Sequence, residues 1–211
     1  MAAGPLAVAS GLLVFRSVLA TFILFHGVVC LGIPLMLLLK GWASPGDYGL
    51  KRDPRGPWKS LLTGAAVFLA VFLFFALLKD RIWDMEEITA VLDEWGAGSM
   101  NPVAFALMMV VGNAFLEELF WRGYALARLV RVTSGRRAVL ISAAFYSSYH
   151  GLTTGILFSV PFAILSVAAI FAAGVYWGGK RQKTGSLLFP VVTHLFVDLA
   201  IIAAYFIFIS G

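Results

Sequence analysis

The chain has 211 residues, 61% of them hydrophobic and only 13% charged, with a mean hydropathy of +0.92. No soluble surface can be built from that composition, and apolar runs near the ~18 to 20 residues that cross a ~30 Å hydrocarbon core identify an integral membrane protein. The net charge of +5 sits in loops beside those runs, which suits a bilayer surface and excludes a nucleic-acid module.

The expected architecture is all-α: one membrane-embedded domain over residues 1–211, a polytopic bundle of about six spans. Met1 to Ser10 lacks a basic leader region and Arg16 lies within the first apolar stretch, so that stretch is expected to stay as a helix rather than be cleaved. Apolar runs and breakers place the spans near Leu12 to Leu39, Ser60 to Leu78, Pro102 to Arg128, Arg137 to His150, Ile156 to Trp177 and Ser186 to Ile209. Gly41 to Pro57 reads as a connector, and Gly151 to Gly155 either continues the fourth helix or forms a tight turn. The second loop interleaves Asp80, Asp84, Glu86, Glu87, Asp93 and Glu94 with Ile88, Val91, Leu92 and Trp95 at helical spacing. That pattern predicts an acidic amphipathic helix on the outer interface. The lone cysteine, Cys30, rules out an intrachain disulfide and reads as a packed thiol.

Loop charge orients the bundle. Lys40, Lys51, Arg52, Arg55, Lys59, Arg128, Arg131, Arg136, Arg137, Lys180, Arg181 and Lys183 all belong to odd loops, against Lys79 and Arg81 in even ones. The positive-inside rule then places the odd loops, with Gly56 and Gly135, in the cytoplasm, and Ser99 and both termini outside, in a bacterial cytoplasmic membrane.

Three patterns carry ionisable groups inside the spans: Glu117-Glu118-x-x-x-Arg122, Tyr146-x-x-x-His150 and His194-x-x-x-Asp198. A charge at mid-bilayer costs at least ~2.5 to 3.5 kcal/mol, so such groups usually face one another around a functional cavity. Measured along each helix from Arg128, Arg137 and Lys183, Glu117, His150 and His194 all lie roughly 16 to 20 Å deep, with Asp198 near ~22 Å. Glu118 and Arg122 are four apart and predict an intrahelical ion pair with a structural role. Glu117 is turned ~100° away, with Asn113 one turn earlier on its face, and is the freer carboxylate. Asp198 can orient His194, and Tyr146 shares a face with His150. His26, beside Gly27 in the first span, reads as a satisfied core histidine.

In this order the patterns resemble the CAAX prenyl protease and bacteriocin-processing (CPBP) family, whose motifs are Glu-Glu-x-x-x-Arg, Phe-x-x-x-His and His-x-x-x-Asn/Asp. The resemblance covers about Phe115 to Asp198, within a core expected over about 102–209. It implies an intramembrane endopeptidase in which Glu117 and His150 activate water while His194 and Asp198 shape the oxyanion side. Tyr146 stands where the family usually has phenylalanine, adding a hydroxyl, and Asp198 replaces the commoner asparagine. An ionised aspartate cannot donate to an oxyanion, so Asp198 has to be protonated, orient His194 or bind metal.

Two chemistries stay open on the residues alone. In one, without a cofactor, Glu117 deprotonates water; in the other, His150, His194 and either Glu117 or Asp198 hold a zinc ion. The lack of a His-Glu-x-x-His helix favours the metal-free version. The substrate implied is a membrane-associated protein or peptide: a prenylated CAAX C-terminus, a leader peptide or a C-terminal sorting helix. A proton-coupled transporter and a non-catalytic bacteriocin-immunity or binding protein are the competing classes, and oligomeric state is open.

Overall fold

The computed structural model describes residues 1–51, 53 and 57–209, apart from the side chain of Met85. Gly56, Arg52 and Arg55, used above to orient the first loop, lie outside the described residues. Among those described there are eight helices and no strand. They are α1 (Ala3–Val14), α2 (Val18–Leu39), α3 (Trp58–Ile82), α4 (Met85–Glu94), α5 (Pro102–Val130), α6 (Gly135–Leu157), α7 (Val160–Thr184) and α8 (Leu188–Phe208). Five of them, α2, α3, α5, α7 and α8, are long and apolar enough to cross a membrane. The fourth expected span, α6, is 23 residues long but carries arginines, serines, threonines, tyrosines and a histidine, so composition alone does not qualify it. It nevertheless packs along α7 as a full member of the bundle.

The first span departs from its expected start. The chain breaks at Arg16, which adopts φ +46°, and Ser17 caps a new helix by accepting a hydrogen bond from Ala20 N–H. An arginine midway along an apolar helix would be buried in hydrocarbon; at the break it reaches Glu94 at 2.6 Å instead. The residues before it form α1, which doubles back along α2. Gly11 lies so close to Thr21 that no Cβ would fit, and Gly4 meets Phe25 and Trp121. The first residues thus pack against the bundle beside Phe25 and Trp121.

The fourth and fifth spans also shift. Gly151 and Gly155 are helical, and Thr154 Oγ1 donates to the His150 carbonyl at 2.8 Å. The break falls at Phe158 and Ser159, where Pro161 opens α7 in a first turn that needs no proline N–H. Gly185, at φ +69°, closes α7 in the left-handed conformation suited to a helix C-cap.

The loops gather at two ends. At the basic end Leu187 N–H donates to Gly49 O at 3.0 Å, Ser186 Oγ to Lys51 O at 2.8 Å, and Gln182 Nε2 to Gly135 O at 2.9 Å. In the connector there, the Ser44 backbone N–H and hydroxyl both donate to Asp47 and hold its carboxyl below the usual range. At the other end α4 forms as expected. Asp84 caps it by accepting from Glu86 and Glu87 N–H, and two acids in the first turn suit the helix dipole. Its apolar face rests on protein, with Ile88 and Trp95 buried against neighbouring helices. It roofs a cleft of about 520 Å³ whose lining includes Asp93, Phe105 and Tyr205.

Candidate active site

The centre of the bundle is built where α2, α5, α6 and α8 meet, and its polar groups are held there by local helix geometry. On α5, wide π turns over Met108–Gly112 and Leu119–Ala125 flank a short α-helical stretch, Asn113–Glu118. π turns inside helices are frequent at functional sites because the extra residue re-aims side chains. His26 lies in a ten-residue π stretch of α2.

Glu117, Glu118, Arg122 and His194 are all at most 2% exposed. Glu118 Oε1 accepts from Arg122 Nη1 at 2.8 Å, the ion pair expected from spacing. It also accepts from His194 Nδ1–H at 3.0 Å, which brings Glu118 into contact with the candidate chemistry. Because a carboxylate only accepts, this bond puts a proton on His194 Nδ1 and turns Nε2 toward the other carboxylates. His194 Nε2 lies 4.0 Å from Glu117 Oε2, 3.6 Å from Asp198 Oδ1 and 3.5 Å from the Tyr146 hydroxyl. The imidazole therefore stands between two carboxylates of α5 and one of its own helix.

An aromatic cage fixes these groups. Trp177 stacks on His194 at 4.7 Å, and the Arg122 guanidinium lies over Tyr146 at 4.1 Å and Trp177 at 5.1 Å. Such cation–π contacts gain strength once desolvated. Gly174 lets α7 come this close, since a Cβ there would sit 3.1 Å from Ala143 and 3.2 Å from Arg122 Nη2.

His150 joins from α6. Its Nδ1–H donates to the Tyr146 carbonyl at 2.9 Å, and its ring packs on Tyr149 at 4.2 Å. A carbonyl cannot donate, so the neutral ring keeps its lone pair on Nε2, the form a base or proton carrier needs. His150 and Asn113 are only partly buried, unlike the carboxylates behind them.

The residue that the sequence reading left out is His26. Its Nε2 lies 2.7 Å from Asn113 Oδ1 and 3.6 Å from Glu117 Oε1. Asn113 Nδ2 in turn donates to Asp198 Oδ2 at 2.9 Å. One polar chain thus runs from His26 through Asn113, Asp198, His194 and Glu118 to Arg122. The depth measure used for the other histidines would have found His26, since 14 residues from Lys40 is roughly 21 Å. The Asn113–Asp198 contact left no trace in spacing.

Among the described residues no group of three or more His, Cys, Asp or Glu side chains is arranged to hold a metal ion. His194 Nδ1 is taken by Glu118 and His150 Nδ1 by a backbone carbonyl. Each ring thus keeps Nε2 as the nitrogen not engaged by these bonds.

No solved structure matches the chain significantly. Over 114 residues it is 30% identical to adenosylcobinamide-GDP ribazoletransferase of Brevibacillus brevis, a stretch covering 50% of this chain and 46% of that protein. The chain thus spans less than half the length of that relative. Residues 99–200, the segment from Asn113 to Asp198 included, match the model of the family described as type II CAAX prenyl endopeptidase Rce1-like. That match covers all three intramembrane motifs and agrees with the CPBP resemblance: over this segment the multi-pass, all-α chain is similar to the Rce1-like family.

Proposed function

We propose that the protein is an intramembrane endopeptidase that hydrolyses a peptide bond of a membrane-associated substrate with water activated by Glu117 and His150. The observation that carries this reading is the convergence of Glu117, His194, Asp198 and Asn113 from two helices on one buried cluster within a segment similar to a family of endopeptidases. Glu117 takes a proton from water, and the resulting hydroxide adds to the scissile carbonyl carbon as the carbonyl π pair moves onto oxygen. When the tetrahedral intermediate collapses, the C–N bond breaks and the amine leaves with the proton that Glu117 had taken. His150, with its Nε2 lone pair free, carries protons between water and the leaving group, and His194 steadies the oxyanion side. Glu118 and Arg122 hold His194 in place and take no part in bond making.

Reaction in this site needs no cofactor. Metal content of the purified protein tests that: one tightly held zinc per active chain, with activity lost on its removal and regained on its return, would replace this mechanism. The basic end faces the cytoplasm and α4 faces out; cysteines introduced at Gly135 and Ser99 should be labelled from opposite sides of the membrane. The decisive experiment compares membrane-protein termini in cells carrying active protein and Glu117→Gln. New termini that vanish in the variant identify the substrate as a prenylated C-terminus, a leader peptide or a sorting helix. A transporter or binding protein would instead leave the termini unchanged.

A further inference from the structure

Within the cluster, Asn113 is the side chain whose orientation is settled from both sides. His26 Nε2–H donates to its Oδ1 at 2.7 Å, and its Nδ2–H donates to Asp198 Oδ2 at 2.9 Å. A flipped amide would set Oδ1 against the Asp198 carboxylate, acceptor against acceptor, so the arrangement has one sense. The second Nδ2 hydrogen has no partner among the described residues. Asn113 is one turn before Glu117 on the same face of α5 and, unlike Glu117, is partly exposed.

The other groups are poorer neutral donors. Asp198 as a carboxylate only accepts, and the His194 Nδ1–H is committed to Glu118. An oxyanion formed beside Glu117 therefore meets a fixed, uncharged N–H at Asn113, already oriented before substrate arrives. We propose that Asn113 supplies an oxyanion donor of this site beside His194 and that His26, from a helix outside residues 99–200, is the residue that positions it. This rests on the peptidase reading. It gives Asp198 the task of holding the amide rather than of facing substrate.

The test uses the full-length protein, with the peptide spanning its strongest cellular cleavage site as the probe, and records kcat, KM and melting temperature together. Asn113→Ala should lower kcat about 100- to 1000-fold, the usual cost of one oxyanion donor, with KM unchanged. Asn113→Asp should also lower the melting temperature, because two carboxylates then face each other. Adding Asp198→Asn to it should recover that temperature by restoring an amide–carboxylate pair. His26→Leu should lower kcat alone, and His26→Gln, which keeps an N–H at similar reach, should regain part of it. If Glu117→Gln abolishes cleavage while Asn113→Ala cleaves at the wild-type rate, or loses activity only through KM or unfolding, the donor assignment is wrong. If Glu117→Gln leaves the same termini as the wild type, the peptidase reading falls, and the donor assignment with it.

Discussion

Helices α3 and α5 are both long enough to cross a membrane, yet they solve opposite problems. The most apolar window of α3 has mean hydropathy 2.7 and is 11% buried in protein, whereas that of α5 has 1.7 and is 39% buried. Helix α3 is little enclosed by protein, so leucines and phenylalanines suffice and their exact shapes matter little. Helix α5 is less apolar because it is surrounded: Glu117, Glu118 and Arg122 are tolerable only where α2, α6, α7 and α8 supply partners. The lesson is that within a bilayer polarity follows protein burial, the reverse of a soluble fold.

Substitutions along the two helices, and at the α7 glycine packed against Arg122, sharpen that contrast. The largest effect should fall at Glu117: Glu117→Gln should lower cleavage ~10² to 10⁴-fold while the protein inserts and melts normally, read as loss of the dependent termini. Next, Arg122→Ala should cost about 3 to 5 kcal/mol by stranding the buried Glu118 carboxylate, seen as a loss of yield and thermal stability. A purified Arg122→Ala protein that melted like the wild type would contradict the structural role of the pair.

Smaller but still measurable, Gly174→Val should cost about 1 to 3 kcal/mol, since its side chain meets Ala143 and Arg122 in a closed contact. On α3 the outcome should be near silent. Leu69 is 57% exposed, and Leu69→Ala should change the melting point by the equivalent of less than about 0.5 kcal/mol. A large loss at Leu69 would mean that α3 faces protein, such as a second copy, rather than lipid.

How far the primary structure could be read varies element by element. The long spans, the acidic helix α4 and the two-ended charge distribution were all legible, because hydropathy and loop charge report directly on transfer between water and hydrocarbon. The ion pair of Glu118 with Arg122 was legible as well, since an i,i+4 spacing decides contact within one helix. The break at Arg16 was not: continuous apolar sequence reads as continuous helix, and only the docking of Arg16 on Glu94 shows why the chain turns there. Gly151 and Gly155 misled in the opposite direction, because α6 packs along α7 and stays helical through both.

The sequence by itself thus determined that this is a membrane bundle with acids and histidines at a common depth, a property of rise per residue and of the cost of charge in lipid. Only the tertiary structure decided which of them touch: that His26 faces Asn113, that Asn113 holds Asp198, and that His194 leans on Glu118. Depth is a one-dimensional quantity that a helix carries in its own residue count. Contact between helices depends on their rotation and on the π turns that re-aim their faces, and those follow from packing between segments far apart in the chain.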